Sequence, residues 1–201
     1  MRRTILILTL LLLFPAAGCP RQGSPATPTP SVRPTPPPSP PPWVLDAARL
    51  PAGSRVLSTV QVSRHFPLFD AYRRHHGRGA VMSAWQVPHR GRTWWAVDTR
   101  YTFPTEDDAV RFLTAQQAPL SEGHPLAEDR LALPCDPASR LFMGRIVHPG
   151  LGTPFIAFVV TGRRGPHVFK FLAAVELESP EPGEDALRAD FLSLAALALH
   201  I

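Results

Sequence analysis

Eight histidines and two cysteines are the residues of this chain with the widest chemical reach. His65, His75, His76, His89, His124, His148, His167 and His200 could bind a transition metal. Such sites need close spacing, as in two histidines four apart on a helix, and no pair here has it. Adjacent His75 and His76 would point in different directions on a helix. His89, His124, His148 and His167 each stand beside proline or glycine, the composition of exposed turns. No metal and no cofactor are therefore expected, and no phosphate loop or dinucleotide glycine pattern occurs. Cys135 could act as a nucleophile, with His148 or His167 as base and an aspartate to orient it. Its setting, Leu133-Pro134-Cys135-Asp136-Pro137, matches no known nucleophile motif, and Gly-x-Ser-x-Gly is absent. A buried inert thiol is the better reading, so no catalytic residue is assigned.

A third constellation could bind rather than catalyse. Trp94 and Trp95 are adjacent, so on a strand they must face opposite sides. Trp95, Val97, Thr99, Tyr101 and Phe103 form one alternating set, read as the core face. Trp94, Ala96, Asp98 and Arg100 form the other, read as the wet face. Trp94, Asp98 and Arg100 are then a candidate binding surface for a sugar, peptide or protein. The competing reading is that the final helix or the 119–139 loop covers Trp94.

These residues need elements to hold them. A short helix is expected to close at Gly77, with Pro67 in its first turn and Arg73 and Arg74 near its end. Ala80 to Val87 and Thr93 to Phe103 read as a hairpin turning over residues 88–92. Thr105 can cap a helix whose first turn is acidic and whose expected stop is Pro119. Residues 119–139 read as loop. Leu141 to Val147 reads as a strand, and Phe155 to Val160 with His167 to Leu177 as a second hairpin. Glu184 to Ile201 reads as a helix with Leu187, Phe191, Leu194 and Ala198 on one stripe. The fold class expected is α+β, an antiparallel sheet of two hairpins, each followed by a covering helix.

The chain before this domain has a different composition. Arg2 and Arg3 precede an apolar run from Ile5 to Phe14, then Pro15-Ala16-Ala17-Gly18-Cys19. A positive end, a short apolar centre and small residues before a cut make a secretory leader, too short to span a bilayer. The Ala16-Ala17-Gly18-Cys19 ending resembles the lipobox of bacterial lipoproteins. That resemblance implies cleavage after Gly18, lipid on Cys19, and a membrane partner on the extracytoplasmic side of the cell envelope. It covers the leader alone and implies no activity. Residues 20–42 are rich in proline and almost without core-forming side chains, so they read as a disordered tether. In polyproline II form it would reach up to ~70 Å. The organisation expected is therefore leader 1–18, lipidated Cys19 with tether to 42, and one domain over 43–201.

Charge narrows the partners. The chain is +5, but four of its 21 cations precede Trp43 and all 16 acids follow it, which leaves the domain near +1. That excludes a nucleic-acid binder of the usual basic kind. Nine arginines and three acids fall within 43–103, which permits an anion-binding patch around Arg73, Arg74, Arg78, Arg90 and Arg92. Lys170 is the single lysine, an arginine bias read as a property of base composition. These features favour a non-catalytic binding domain on a lipid anchor. The alternatives are an exported hydrolase built from His, Asp and Cys135, and a structural envelope protein.

Overall fold

The computed structural model describes residues 47–62, 68–121, 127–129, 138–147, 153–177 and 183–199. The leader, Cys19, the tether, Pro67, Cys135, His65, His124, His148 and His200 lie outside the described residues. After a single 3-10 turn at Ala47–Arg49 the described elements are β1 (Arg55–Gln61), α1 (Phe69–Arg74), β2 (Gly79–His89), β3 (Arg92–Thr102), α2 (Glu106–Ser121), β4 (Ala127–Asp129), β5 (Arg140–Val147), β6 (Pro154–Arg164), β7 (His167–Glu176) and α3 (Glu184–Leu199). All seven strands form one antiparallel sheet in the order β1-β2-β3-β7-β6-β5-β4. The α+β class expected from the sequence is therefore present. The covering-helix detail is different. The two hairpins join edge to edge through β3 and β7, with Val97 opposite Leu172 and Thr99 opposite Lys170. The helices then lie on opposite faces of that one sheet instead of each covering its own hairpin.

Local chemistry explains most boundaries. Arg90 and Gly91 both take positive φ, at 48° and 77°, so β2 and β3 meet in a two-residue turn and run longer than expected. Gly165, at φ 55°, and Pro166 close the β6–β7 hairpin in the same compact way. Thr105 caps α2: its hydroxyl accepts from the Asp108 backbone N–H at 3.1 Å and donates to the Asp108 carboxylate at 2.7 Å. That helix continues through Pro119 to Ser121, beyond the expected stop. After α1 the chain turns through His76, at φ 60°, to Gly77, where a side chain would run into the Tyr72 ring. Two strands had no counterpart in the sequence reading. They are β1, and β4 inside the segment read as loop.

Alternation along each strand sorts the side chains onto two faces. On one, α3 buries Leu187, Phe191, Leu194 and Ala198 against Trp94, Phe158, Phe169, Phe171 and Val175. The Phe191 ring stacks on Phe158 at 5.0 Å and lies 6.0 Å from Phe171 and 6.5 Å from Trp94. On the opposite face α1 and α2 cover one end, where Phe112 sits 4.7 Å from Tyr101 and 4.9 Å from Phe103. The remaining half of that second face carries two apolar clusters, Phe142, Phe155, Ala157, Val159 and Ala174 in one and Met82, Ala84 and Val97 in the other. Among the described residues, no helix packs on either cluster.

Candidate functional site

Trp94, Asp98 and Arg100 do not form an exposed platform. Both faces of β3 are covered at these positions, so the polar set of the alternation is not a wet face. Trp94 is 0% exposed and lies under α3 between Phe158 and Phe191. Asp98 and Arg100, two apart on one strand, satisfy each other. Arg100 Nε donates to both carboxylate oxygens at 2.7 and 2.9 Å, and Nη2 donates to the Ala198 carbonyl in the last turn of α3 at 3.3 Å. The guanidinium also stands 5.7 Å from the Phe169 ring centre. Burial raises the Asp98 pKa above its ordinary value, and the charge and hydrogen bonds of Arg100 work against that rise. The pair is a buried strut joining the sheet to α3.

The arginine patch is also divided. Arg90 and Arg92, at the β2–β3 turn, both reach Asp190 of α3, at 3.0 and 3.1 Å. They latch the hairpin to the helix. Arg73, Arg74 and Arg78 are exposed near the opposite end of β2. The described histidines do not converge. His76 lies 3.3 Å from the Asp108 carboxylate at the start of α2, while His89 and His167 sit at opposite ends of the sheet. Both of the latter have pKa values lowered, chiefly by burial. Among the described residues no three His, Cys, Asp or Glu side chains gather in a way that could hold a metal.

The arrangement that stands out lies on the other side of the sheet, at Lys170. β7 is the central strand of seven, and Lys170 is in its middle. Its cross-strand partners are Thr99 on β3 and Thr161 on β6, both buried. Lys170 nevertheless keeps partial access to solvent, as do Leu172 on the same strand and Trp95 on β3. From α2, Gln117 Nε2 donates to the Thr161 hydroxyl at 3.1 Å and to the Ala138 carbonyl at 3.0 Å. Next along the same face is buried Tyr101, whose phenol burial pushes well above its ordinary range; Tyr72 adds to the rise and Gln116 opposes it. Gln116, itself buried, stands beside that phenol without closing a hydrogen bond of good geometry.

This part of the face has a polar row and an apolar field. The row is Thr99–Lys170–Thr161. The field begins one step along the strands with Val97–Leu172–Val159 and continues with Trp95–Ala174–Ala157. From Ala84 on β2 to Phe142 on β5 it crosses five strands, about 19 Å at the usual strand spacing. Burial lowers the Lys170 pKa to about 8 from an ordinary 10.5. Keeping its charge there costs folding stability at neutral pH. The unfolded chain holds this proton over a range where the folded chain has lost it, so stability recovers as pH rises from about 8 towards 10.5. Sequence reasoning passed over Lys170 as a trace of base composition. Its signal was a lone cation inside the apolar run Val168 to Val175.

No family model matches the chain, and no curated protein matches it. Among solved structures it is similar to the crystal structure of the extracellular domain of PknH from Mycobacterium tuberculosis. The identity is 9%, the TM-score is 0.42, and the likeness covers 77% of this chain and 92% of that one. A likeness of this size carries no functional argument.

Proposed function

We propose that this protein is an extracytoplasmic lipoprotein, anchored through Cys19 and carried on the 20–42 tether, whose domain binds a ligand on the sheet face that carries Trp95, Lys170 and Leu172. The role is non-catalytic binding. The observation that carries it is the partial solvent access of Lys170, Leu172 and Trp95 in mid-sheet, where the flanking residues are buried. Natural domains seldom leave such a surface without a use.

Two measurements test the two parts. For the anchor, the full chain should take up labelled fatty acid and sediment with membranes, and Cys19→Ala should abolish the label. Label retained in Cys19→Ala, or a mature N-terminus at another residue, rules the anchor out. For the binding face, the full chain in nanodiscs of zwitterionic lipid should bind the neutral apolar dye Nile red above the empty-disc background. Leu172→Arg should remove that increment, because it places a charge in the middle of the apolar field, while leaving far-UV circular dichroism unchanged. Absence of dye binding in the wild type rules out the face as a ligand site.

A further inference from the structure

We infer that the turn between α1 and β2 is a docking surface for a linear polymer with repeated acidic groups, held by Arg73, Arg74 and Arg78. Arg90, Arg92, Arg100 and Arg163 each reach a carboxylate within 3.3 Å. Arg73 and Arg78 form no ion pair or side-chain hydrogen bond among the described residues, and Arg74 Nε donates to the Asp70 carbonyl at 3.4 Å. All three are exposed. Residues 68–79 hold these three arginines and a single acid, Asp70, one turn back on α1. Of the acids opening α2, Asp108 is engaged by His76 and Thr105 and Glu106 by Arg163, which leaves Asp107 exposed and unpaired. The turn itself is pinned. The backbone N–H groups of His75, His76 and Gly77 bond back into α1, and that of Arg78 bonds to the Thr102 carbonyl at 2.8 Å. A partner therefore pays for ordering side chains and not for ordering backbone.

Magnitude and position choose the partner. A contact with one exposed arginine is weak, because water screens it and a long side chain loses freedom. A single small anion would gain little on so open a turn. A polymer engages several cations at once, and each contact after the first is intramolecular. The arginine fork suits carboxylate and phosphate alike. Leu50 packs with Trp85 and Val87, and Arg55 pairs with Gln86, so the chain enters the domain near the β2–β3 turn. The arginines lie at the other end of β2, and Val87 to Gly79 spans about 27 Å at the usual strand rise. This direction rests on the anchor proposed above: with the tether extended, the three arginines face away from the bilayer.

The experiment is calorimetric titration of the full chain in zwitterionic nanodiscs, with empty discs as the blank. The probes are polyglutamate and polyphosphate, with glutamate and inorganic phosphate as the single groups. At least one polymer should bind, about tenfold or more tighter than its own single group. Which of them binds tells carboxylate from phosphate. Arg78→Gln should weaken that polymer by about threefold, and Arg73→Gln with Arg78→Gln by about tenfold, with affinity falling as salt rises. Both side chains are exposed, so the double variant should keep the wild-type unfolding midpoint. Arg90→Gln removes the same charge from a residue already committed to Asp190, and should change the affinity by less than about twofold. Absence of polymer binding at low salt overturns the inference, as does binding unaffected by the double variant. Equal losses in Arg78→Gln and Arg90→Gln overturn it too, since they would report net charge and not this turn. Polymer binding abolished in discs of phosphatidylglycerol gives the surface to the membrane and overturns the polymer. Fatty-acid labelling of Cys19 reports the anchor separately, so its failure removes the direction and leaves the polymer result standing.

Discussion

Phe191→Ala is expected to lower the free energy of unfolding by ~3–5 kcal/mol, the cost of deleting a fully buried aromatic ring. The ring is 0% exposed and touches Trp94, Phe158 and Phe171, which come from three strands and both hairpins. No single neighbour can move to fill the space it would leave. Denaturant unfolding should show a lower midpoint with an unchanged slope. Leu197→Ala on the same helix is the control, since that side chain is 41% exposed and should matter by less than ~0.5 kcal/mol. An unchanged midpoint for Phe191→Ala would mean that α3 contributes nothing to the core, and this packing would be wrong.

Asp98→Ala is expected to cost a similar ~3–5 kcal/mol by a different route. The substitution removes little apolar contact, but it strips the carboxylate from a guanidinium that lies under α3. Arg100 would keep its bond to the Ala198 carbonyl, which offsets only part of the charge. Pairing Asp98→Leu with Arg100→Met should recover most of the loss, because an apolar pair of similar volume carries no desolvation cost. A loss below ~1 kcal/mol for Asp98→Ala would show that water reaches the pair. The double-mutant cycle separates the interaction from the packing of each side chain.

The Asp98–Arg100 strut also explains where reading the sequence went astray. Helices and hairpins were legible because their signals are local: Thr105 three residues before Asp108, an acidic first turn, and the alternation from Trp94 to Phe103. Which face is wet is not local. Alternation of apolar and polar residues was read as buried against exposed. Two opposite charges two residues apart on a strand can instead neutralise each other under a helix. The order of strands was equally hidden, since the β3–β7 contact joins segments about seventy residues apart and nothing in either marks the other. β1 escaped notice because Arg55-Val56-Leu57-Ser58-Thr59-Val60-Gln61 lies at the sheet's border, mostly exposed, and so carries no clean pattern. Of the candidate surface, the position of Trp94 opposite Trp95 was read correctly and its exposure was not. The partial exposure of Lys170 in mid-sheet depends on how α2 and the strands pack around it, and only the assembled sheet determines that.

For a protein held on a membrane by the anchor proposed above, the irregularity at the sheet's border has a consequence. Molecules confined to two dimensions meet far more often than the same number in solution, and a straight bare strand would then be a seed for polymers. β1 is not straight: its pairing with β2 slips between Val56 and Ser58, and Arg55 is turned towards Gln86 on the neighbouring strand. A bulge and a charge at that place spoil the register that an incoming strand would need. The exposed Val56 and Val60 can therefore sit at the rim without making the molecule adhesive to its own kind.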